Sequence, residues 1–140
     1  MIALRLVVDT NVVVSAALVP QGLPRTVMTI ALTRPAKLYI SPKLLGEYQD
    51  VLMRRDLRIP RGMRQRLLHD IITKSRMVRP SRILEVTSDR ADNIFLECAD
   101  ASSADYLVTG NAKHFPLYWK RTKVVSPREF MDIVTPHLLP

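Results

Sequence analysis

The sequence has little of several residue types, and each shortage excludes a class of protein. Cys98 is the only cysteine, so the chain can form neither an internal disulfide nor a cysteine-rich metal site. Polar residues interrupt the apolar stretches at residues 6–8 and 12–19, which fall well short of the roughly 20 residues that span a bilayer. The first apolar run contains Arg5 and leads directly into Asp9, without the apolar core and cleavage site of a secretory signal. We therefore expect a cytoplasmic protein without a membrane segment.

The length and composition predict one compact domain. The chain has 140 residues, of which 47% are hydrophobic, enough for one sizeable core but short for two. No internal repeat, low-complexity tract or linker divides the sequence. We expect residues 1–140 to form a single domain.

Acidic residues are outnumbered, and the basic excess is concentrated in one stretch. The formal net charge is +8 and the isoelectric point about 10.2. Residues 54–82 contain ten basic residues against two acidic ones, so the rest of the chain is balanced. A solvated helix surface would explain any one of these side chains, but as a set they favour contact with nucleic-acid phosphates. The candidate RNA-binding residues are Arg54, Arg55, Arg58, Arg61, Arg64 and Arg66.

Short β-branched runs alternate with helix signals along the chain. Strands are predicted at residues 3–8, 37–40, 106–109 and 123–125, and Asp9 to Asn11 is predicted as a turn. Helices are predicted after Pro24, Ser41, Pro60 and Ser126 and near Asp92, the one after Pro60 burying Met63, Leu67, Leu68, Ile71 and Ile72. This alternation predicts a three-layer α/β/α sandwich with a central, mostly parallel sheet.

Polar residues stand where the predicted strands end. Asp9 and Asn111 follow strands, Asp92 lies near the start of a helix, and Glu47 projects from the helix after the second strand. In open α/β sheets, ligands bind beyond the carboxyl ends of the strands. If the first strand and the 106–109 strand are neighbours, three carboxylates and one amide converge on one cleft.

Such a convergence predicts a metal site. Three carboxylates close together would repel one another and take up protons unless a hard divalent cation held them. An all-oxygen set suits Mg²⁺ or Mn²⁺, which could activate a water for attack on a phosphodiester, and the pattern is compatible with one ion or two. Taken alone, Asp9 is typical of a turn and Asp92 of a helix N-cap, so the combination carries the prediction.

Three segments resemble the PIN-domain family, and within it the VapC-like toxin components of bacterial and archaeal toxin–antitoxin pairs. They are VVDTNVVVSA at residues 7–16, SPKLLGEYQDVL at 41–52 and DRADNIFLECADASSADYLVTGNAKHFP at 89–116. The likeness extends in order over nearly the whole chain, including the final strand and the SPREF helix start. It implies a Mg²⁺- or Mn²⁺-dependent ribonuclease, often a homodimer, that a cognate antitoxin inhibits.

The resemblance also implies roles for individual residues. Asp9, Glu47 and Asp92 match the family's first three acidic positions, and thus its metal ligands and catalytic residues. Asn111 falls where the family usually has a fourth acidic residue, so it belongs to the catalytic set without adding charge. The positions that match the family's polar supporting residues, expected to hydrogen-bond to the ligands, are Thr10, Asn11, Ser15 and Thr109.

Two other functions are weighed against a nuclease. The neutral Asn111 is the reason to consider a degenerate PIN domain that binds RNA or a protein partner without cleavage. A phosphatase that uses Asp9 as a covalent nucleophile is less favoured, because such enzymes typically have a second Asp where this chain has Asn11.

Several other polar residues have mainly structural interpretations. Asp105 is expected at the opposite end of its strand from Asn111, and Glu97 is turned away from the helix face of Asp92, with a smaller chance of supporting the site. His114 is expected at the surface, where it could touch RNA. The aromatic and basic group that could stack on a base or form a dimer or antitoxin contact is Tyr118, Trp119 and Lys120.

Overall fold

The computed structural model describes residues 3–138. The strands are β1 (Arg5–Val8), β2 (Lys37–Ile40), β3 (Arg76–Met77), β4 (Tyr106–Val108), β5 (Tyr118–Trp119) and β6 (Thr122–Val125). The helices are α1 (Thr10–Leu18), α2 (Leu23–Ala31), α3 (Pro42–Leu52), α4 (Arg61–Lys74), α5 (Arg90–Ser102) and α6 (Pro127–Leu138), with 3₁₀ turns at Arg55–Leu57 and Ala112–His114. No helix in this part of the chain is long and apolar enough to cross a membrane.

The strands form one sheet in the order β3-β2-β1-β4-β6-β5, in which only the edge strand β5 is antiparallel. Leu6, Val7 and Val8 are all fully buried, although successive residues of a strand point to opposite faces. Both faces of the sheet are therefore covered, as parallel sheets require. The predicted α/β/α sandwich is confirmed, and β1 and β4 are neighbours, with Val8 in register with Val108.

Two helix starts have the caps that the sequence predicts. At α3, the Ser41 hydroxyl accepts a 3.1 Å hydrogen bond from the amide of Leu44. At α6, the amide of Glu129 donates to the Ser126 hydroxyl at 3.1 Å, while the Glu129 carboxylate accepts from the Ser126 amide at 3.0 Å. These reciprocal bonds form a capping box, and they lower the pKa of Glu129.

The predicted turn after β1 is wrong, because α1 begins directly at Thr10. The backbone carbonyl of Asp9 accepts from the amides of Val12 and Val13, and Asp9 itself keeps an extended conformation as the N-cap. The β-branched residues of this segment favour strands, but burial of Val12, Val13, Ala16 and Ala17 at helical spacing outweighs that preference. The helix directs Asp9 toward the edge of the sheet.

Three further differences concern shorter features. Ile72 is exposed rather than packed inward, and the buried residues of α4 are Leu67 and Ile71. The two-residue strands β3 and β5 are too short to leave a periodic signal. The N-cap of α5 is Asp89, whose carboxylate accepts from the amide of Ala91 at 2.9 Å, so the N-cap interpretation of Asp92 is wrong.

Candidate active site

An open cleft of about 420 Å³ lies at the carboxyl edge of the sheet. Asp9 enters it from the end of β1, Asp92 from the first turn of α5, Glu47 from α3 and Asn111 from the loop after β4. The remaining lining residues are Thr10, Asn11, Val14, Ser15, Val51, Arg54 and Leu57. The four candidate catalytic residues thus line one cleft, although they come from four separate elements.

Asp9 is the most buried acid of the cleft, with 6% of its surface exposed. The Thr109 hydroxyl donates a 2.7 Å hydrogen bond to Asp9 Oδ2. Burial raises the pKa of Asp9, and the charge of Asp92 raises it further, while the Thr109 bond works in the opposite direction. Asp9 is therefore a desolvated carboxylate that a nearby positive charge would stabilise.

Tyr48 of α3 contributes to this environment. Its side chain is completely buried, and its hydroxyl donates to the carbonyl of Val8, the residue before Asp9. Burial raises the pKa of Tyr48 well above its usual value, and the charges of Cys98 and Asp9 add to the shift. The signal available in the sequence was a tyrosine on an otherwise apolar helix face, since a buried tyrosine usually needs a hydrogen-bond partner.

Two side chains join the loop after β4 to the start of α1. Asn11 Oδ1 accepts from the amide of Gly110 at 3.1 Å, and a Cβ at Gly110 would lie 3.4 Å from that oxygen. The Thr109 hydroxyl also accepts from the amide of Asn111 at 3.0 Å. Asn11 and Thr109 therefore hold Asn111 at the rim of the cleft.

The other two predicted supporting residues make no such bonds in the described part of the chain. The Thr10 hydroxyl is buried and has no hydrogen-bond partner there, and Ser15 lines the cleft half-buried. A buried hydroxyl without a hydrogen-bond partner lowers the stability of the fold. Thr10 has such a hydroxyl next to Asp9.

Asp92 lies close to His114, which the sequence predicted to be at the surface. Burial raises the pKa of Asp92 and the charge of Asp89 adds to this, whereas His114 lowers it. The His114 Nδ1 lies 3.7 Å from Asp92 Oδ2, although the imidazole remains largely exposed. A histidine thus lies next to one of the carboxylates of the cleft.

The donor chemistry of the cleft fits a hard divalent cation. Within residues 3–138, no three side chains of His, Cys, Asp or Glu lie close enough together to hold a metal as they are placed. The charge of Asp92 nevertheless raises the pKa of Asp9, Glu47 lines the same cleft, and the Thr10 hydroxyl has no hydrogen-bond partner within residues 3–138. Oxygen donors of this kind suit Mg²⁺ or Mn²⁺.

The sequence model of the PIN domain family matches residues 5–113, which include all four candidate catalytic residues. This chain belongs to the PIN-domain family. An uncharacterized protein of Methanocaldococcus jannaschii is 27% identical over 143 residues, covering 94% of this chain and 92% of that protein. The crystal structure of VapBC2 from Rickettsia felis, bound to a DNA fragment from their promoter, contains a chain with the same fold. That chain aligns with a TM-score of 0.58 at 16% identity, over 87% of this chain and 98% of its own length.

Glu97 and Asp105 lie outside the cleft of this PIN domain. The buried Glu97 carboxylate accepts from the amide of Leu84 at 2.9 Å and from Arg90 at 3.2 Å. It therefore fixes the segment before α5, and the idea that it supports Asp92 is wrong. Asp105 lies at the opposite end of β4, as expected, where it accepts from the Arg5 amide at 2.8 Å and from Arg121 at 2.6 Å.

The candidate RNA-binding arginines do not share one surface feature. Arg54 lines the cleft, whereas Arg66 lines a groove between α2 and α4. Arg64 is half-buried, and its Nε has no hydrogen-bond partner within residues 3–138. The three that are exposed elsewhere are Arg55, Arg58 and Arg61.

The aromatic group near the C-terminal hairpin is split between two environments. Tyr118 is exposed on the edge strand, while Trp119 is half-buried. Lys120 lies over the Trp119 ring at 5.9 Å and forms an ion pair of 2.6 Å with Asp100. Burial of Asp100 opposes its ionisation, but the bonds from Lys120 and Arg82 lower its pKa overall.

Proposed function

We propose that this PIN-domain protein is a divalent-metal-dependent endoribonuclease that hydrolyses RNA phosphodiester bonds. The observation that carries the proposal is the pair Asp9 and Asp92, a buried and a half-buried carboxylate that line one cleft at the carboxyl edge of the sheet and whose pKa values are raised by burial. Such a pair is unfavourable by itself and becomes favourable when a cation neutralises it. The basic character of the chain supports a polyanionic substrate.

Each residue of the cleft has a role in this proposal. Asp9, Asp92 and Glu47 would hold Mg²⁺ or Mn²⁺, which when bound would polarise the phosphate and make a water a better nucleophile. Thr109 orients Asp9 through its hydroxyl, and Asn111 offers a neutral carbonyl oxygen at the rim. Arg54 would contact a phosphate of the RNA backbone at the edge of the cleft.

The biological context that we propose is a toxin of a type II toxin–antitoxin pair, acting in the cytoplasm and forming a homodimer. The fold shared with the VapBC2 chain supports an antitoxin partner. Co-purification with the product of a neighbouring small gene tests this part of the proposal.

The nuclease itself is tested by incubating the purified protein with a mixed single-stranded RNA and Mg²⁺, Mn²⁺ or EDTA. We expect cleavage with metal, none with EDTA, and loss of cleavage in Asp9→Asn and Asp92→Asn. Asp132→Asn is the matched control, because it removes the same charge from an exposed position on α6. Equal cleavage by all three variants would assign the activity to a contaminant and overturn the proposal.

The second candidate is a degenerate PIN domain that binds RNA or a protein without cleaving RNA. Asn111 favours it, because the amide supplies no charge at the cleft rim. This function predicts salt-sensitive RNA binding that is independent of Mg²⁺ and Mn²⁺. Metal-dependent products that disappear in Asp9→Asn would exclude it.

A further inference from the structure

A second cavity, of about 250 Å³, lies at the carboxyl ends of β2 and β3. The start of α3 forms one wall with Ser41, Pro42 and Lys43, residues 79–83 form another, and Glu97 of α5 lies on a third. Because β2 and β1 are adjacent parallel strands, this cavity lies on the same edge of the sheet as the candidate active site. None of its lining residues belongs to the active-site cleft.

The cavity is lined by three basic side chains, namely Lys43, Arg79 and Arg82. Arg82 lies 3.2 Å from Asp100, but neither Lys43 nor Arg79 forms an ion pair within residues 3–138. The one acid on the wall, Glu97, already accepts from Arg90 and from the Leu84 amide. The uncommitted charge at the cavity is therefore positive, and it suits an anionic group.

The wall formed by residues 79–83 is held in place rather than loose. Glu97 is 4% exposed and fixes Leu84, immediately after this wall. The Asn93 side chain forms two hydrogen bonds with the backbone of Thr87. It accepts from the amide at 2.8 Å and donates to the carbonyl at 3.1 Å. The segment that follows the wall is therefore docked on α5 by polar side chains, and Arg82 of the wall is joined to Asp100 of the same helix.

An apolar surface lies next to the positive charge. Pro42 and Pro80 line the cavity, and Ile83 is 70% exposed there. An exposed isoleucine beside prolines and cationic groups suits a ligand that is apolar on one side and anionic on the other. A nucleotide has this combination, with a flat base and a phosphate, whereas a free phosphate would use only the charged part.

The cavity is also close to the active-site cleft along α3. Lys43 lines the cavity and Glu47 lines the cleft. Residues four positions apart lie on the same side of a helix, about 6 Å apart along its axis. One extended RNA strand could therefore occupy the cavity and the cleft together.

We propose that this cavity is a nucleotide subsite for the RNA strand, distinct from the point of cleavage. Lys43 and Arg79 contact a backbone phosphate, and Ile83 with Pro80 supports the attached base. The proposal rests on the proposed function for the choice of RNA as substrate. It adds a second site of RNA contact to the one at Arg54.

The test measures the affinity of a short, fluorescein-labelled, single-stranded RNA of mixed sequence in EDTA, so that binding is separated from cleavage. The double variant Lys43→Gln/Arg79→Gln is compared with Arg34→Gln/Arg128→Gln, which removes the same charge from exposed positions elsewhere. We expect the first variant to weaken binding about tenfold and to reduce the salt slope by roughly 0.7 for each lost phosphate contact. Ile83→Ala should weaken binding a few-fold without changing the salt slope. Thermal unfolding checks that all variants fold.

Equal weakening in both double variants, or no weakening in either, would overturn the subsite. Competition distinguishes an RNA phosphate from free inorganic phosphate as the ligand. Unlabelled RNA should displace the labelled RNA, whereas millimolar inorganic phosphate should not. Displacement by inorganic phosphate alone would mean that the cavity is an anion site only. Cleavage assays with Mn²⁺ on the same proteins keep the two proposals apart. If the wild type cleaves RNA but binds it no more tightly than Lys43→Gln/Arg79→Gln does, the subsite is wrong and the nuclease stands. If Lys43→Gln/Arg79→Gln weakens RNA binding but the wild type cleaves no RNA, the nuclease is wrong and the subsite stands.

Discussion

The Thr109 hydroxyl donates a hydrogen bond of 2.7 Å to Asp9 Oδ2, joining the residues that directly follow two neighbouring strands. The parallel register of β1 and β4, in which Val8 is paired with Val108, places the two side chains next to each other. Thr109 is completely buried and Asp9 nearly so. The bond therefore orients the central carboxylate of the cleft and partly offsets the effect of its burial.

Thr109→Val is expected to weaken metal binding while the chain still folds. Valine keeps the shape of threonine but removes the donor, so the pKa of Asp9 should rise further, because the Thr109 bond is what lowers it. The acid side of a pH–activity profile should then move to higher pH. The loss of a bond to a charged group costs about 1.5–3 kcal/mol of stability. Thr109→Ser keeps the hydroxyl donor and should restore both the metal affinity and the pH profile. A pH profile identical in the valine and serine variants would contradict this role.

Asp9→Asn is expected to stabilise the metal-free protein at neutral pH. The folded protein raises the pKa of Asp9, so the folded state binds this proton more tightly than the unfolded state. The stability that this group contributes is present below its unfolded pKa and is lost as the pH rises through its folded pKa. Urea unfolding in EDTA across pH 3 to 8 should show this loss in the wild type and a smaller loss in Asp9→Asn. An unchanged slope would show that Asp9 is not desolvated as described.

Glu97→Ala is expected to release the segment that precedes α5. The substitution leaves the Leu84 amide and Arg90 without their shared acceptor. The cost should be about 1.5–3 kcal/mol, the range for hydrogen bonds to charged groups. Trypsin should then cut after Arg82 faster than in the wild type, whereas the Arg79–Pro80 bond resists trypsin in both proteins. Glu85→Ala is the control, because Glu85 is exposed in the same segment, and equal cleavage of both variants would contradict the docking role.

Cys98 is expected to be unreactive in the folded protein. Burial raises the pKa of its thiol to about 12. At pH 8 both the low thiolate fraction and the lack of access should slow its reaction with an aromatic disulfide reagent. Reaction should become fast in denaturant, so its rate reports unfolding. Rapid labelling of native protein would mean that the core around α5 opens readily.

The sequence predicted those parts of the fold that depend on local signals. The bounds of β2 were predicted as residues 37–40, and the Ser41 cap and the Ser126 capping box were recognised from short patterns. The helix α1 was missed because tertiary burial outweighs the strand preference of its valines. That burial depends on packing against α2 and α3, which the strand preference of the valines does not encode.

The candidate site could be predicted only partly for the same reason. Asp9 and Asn111 were selected because they follow strands, Asp92 because it lies near a helix start, and Glu47 because it projects from the helix after the second strand. All four line one cleft. His114 beside Asp92 and Tyr48 behind Asp9 depend on contacts between distant segments, which spacing along the chain does not encode. The docking of residues 84–87 by Glu97 and Asn93 is of the same kind.

Asp9 and Asp92 are proposed to bind the catalytic cation together, and Mn²⁺ binding is the measurement that tests this role. Electron paramagnetic resonance of free Mn²⁺ would be recorded during titration of the wild type, Asp9→Asn, Asp92→Asn and Asp132→Asn. We predict saturable binding by the wild type and Asp132→Asn, with affinity at least about tenfold weaker in the two cleft variants, since each loses a charged ligand. Equal Mn²⁺ binding by all four proteins would contradict the account.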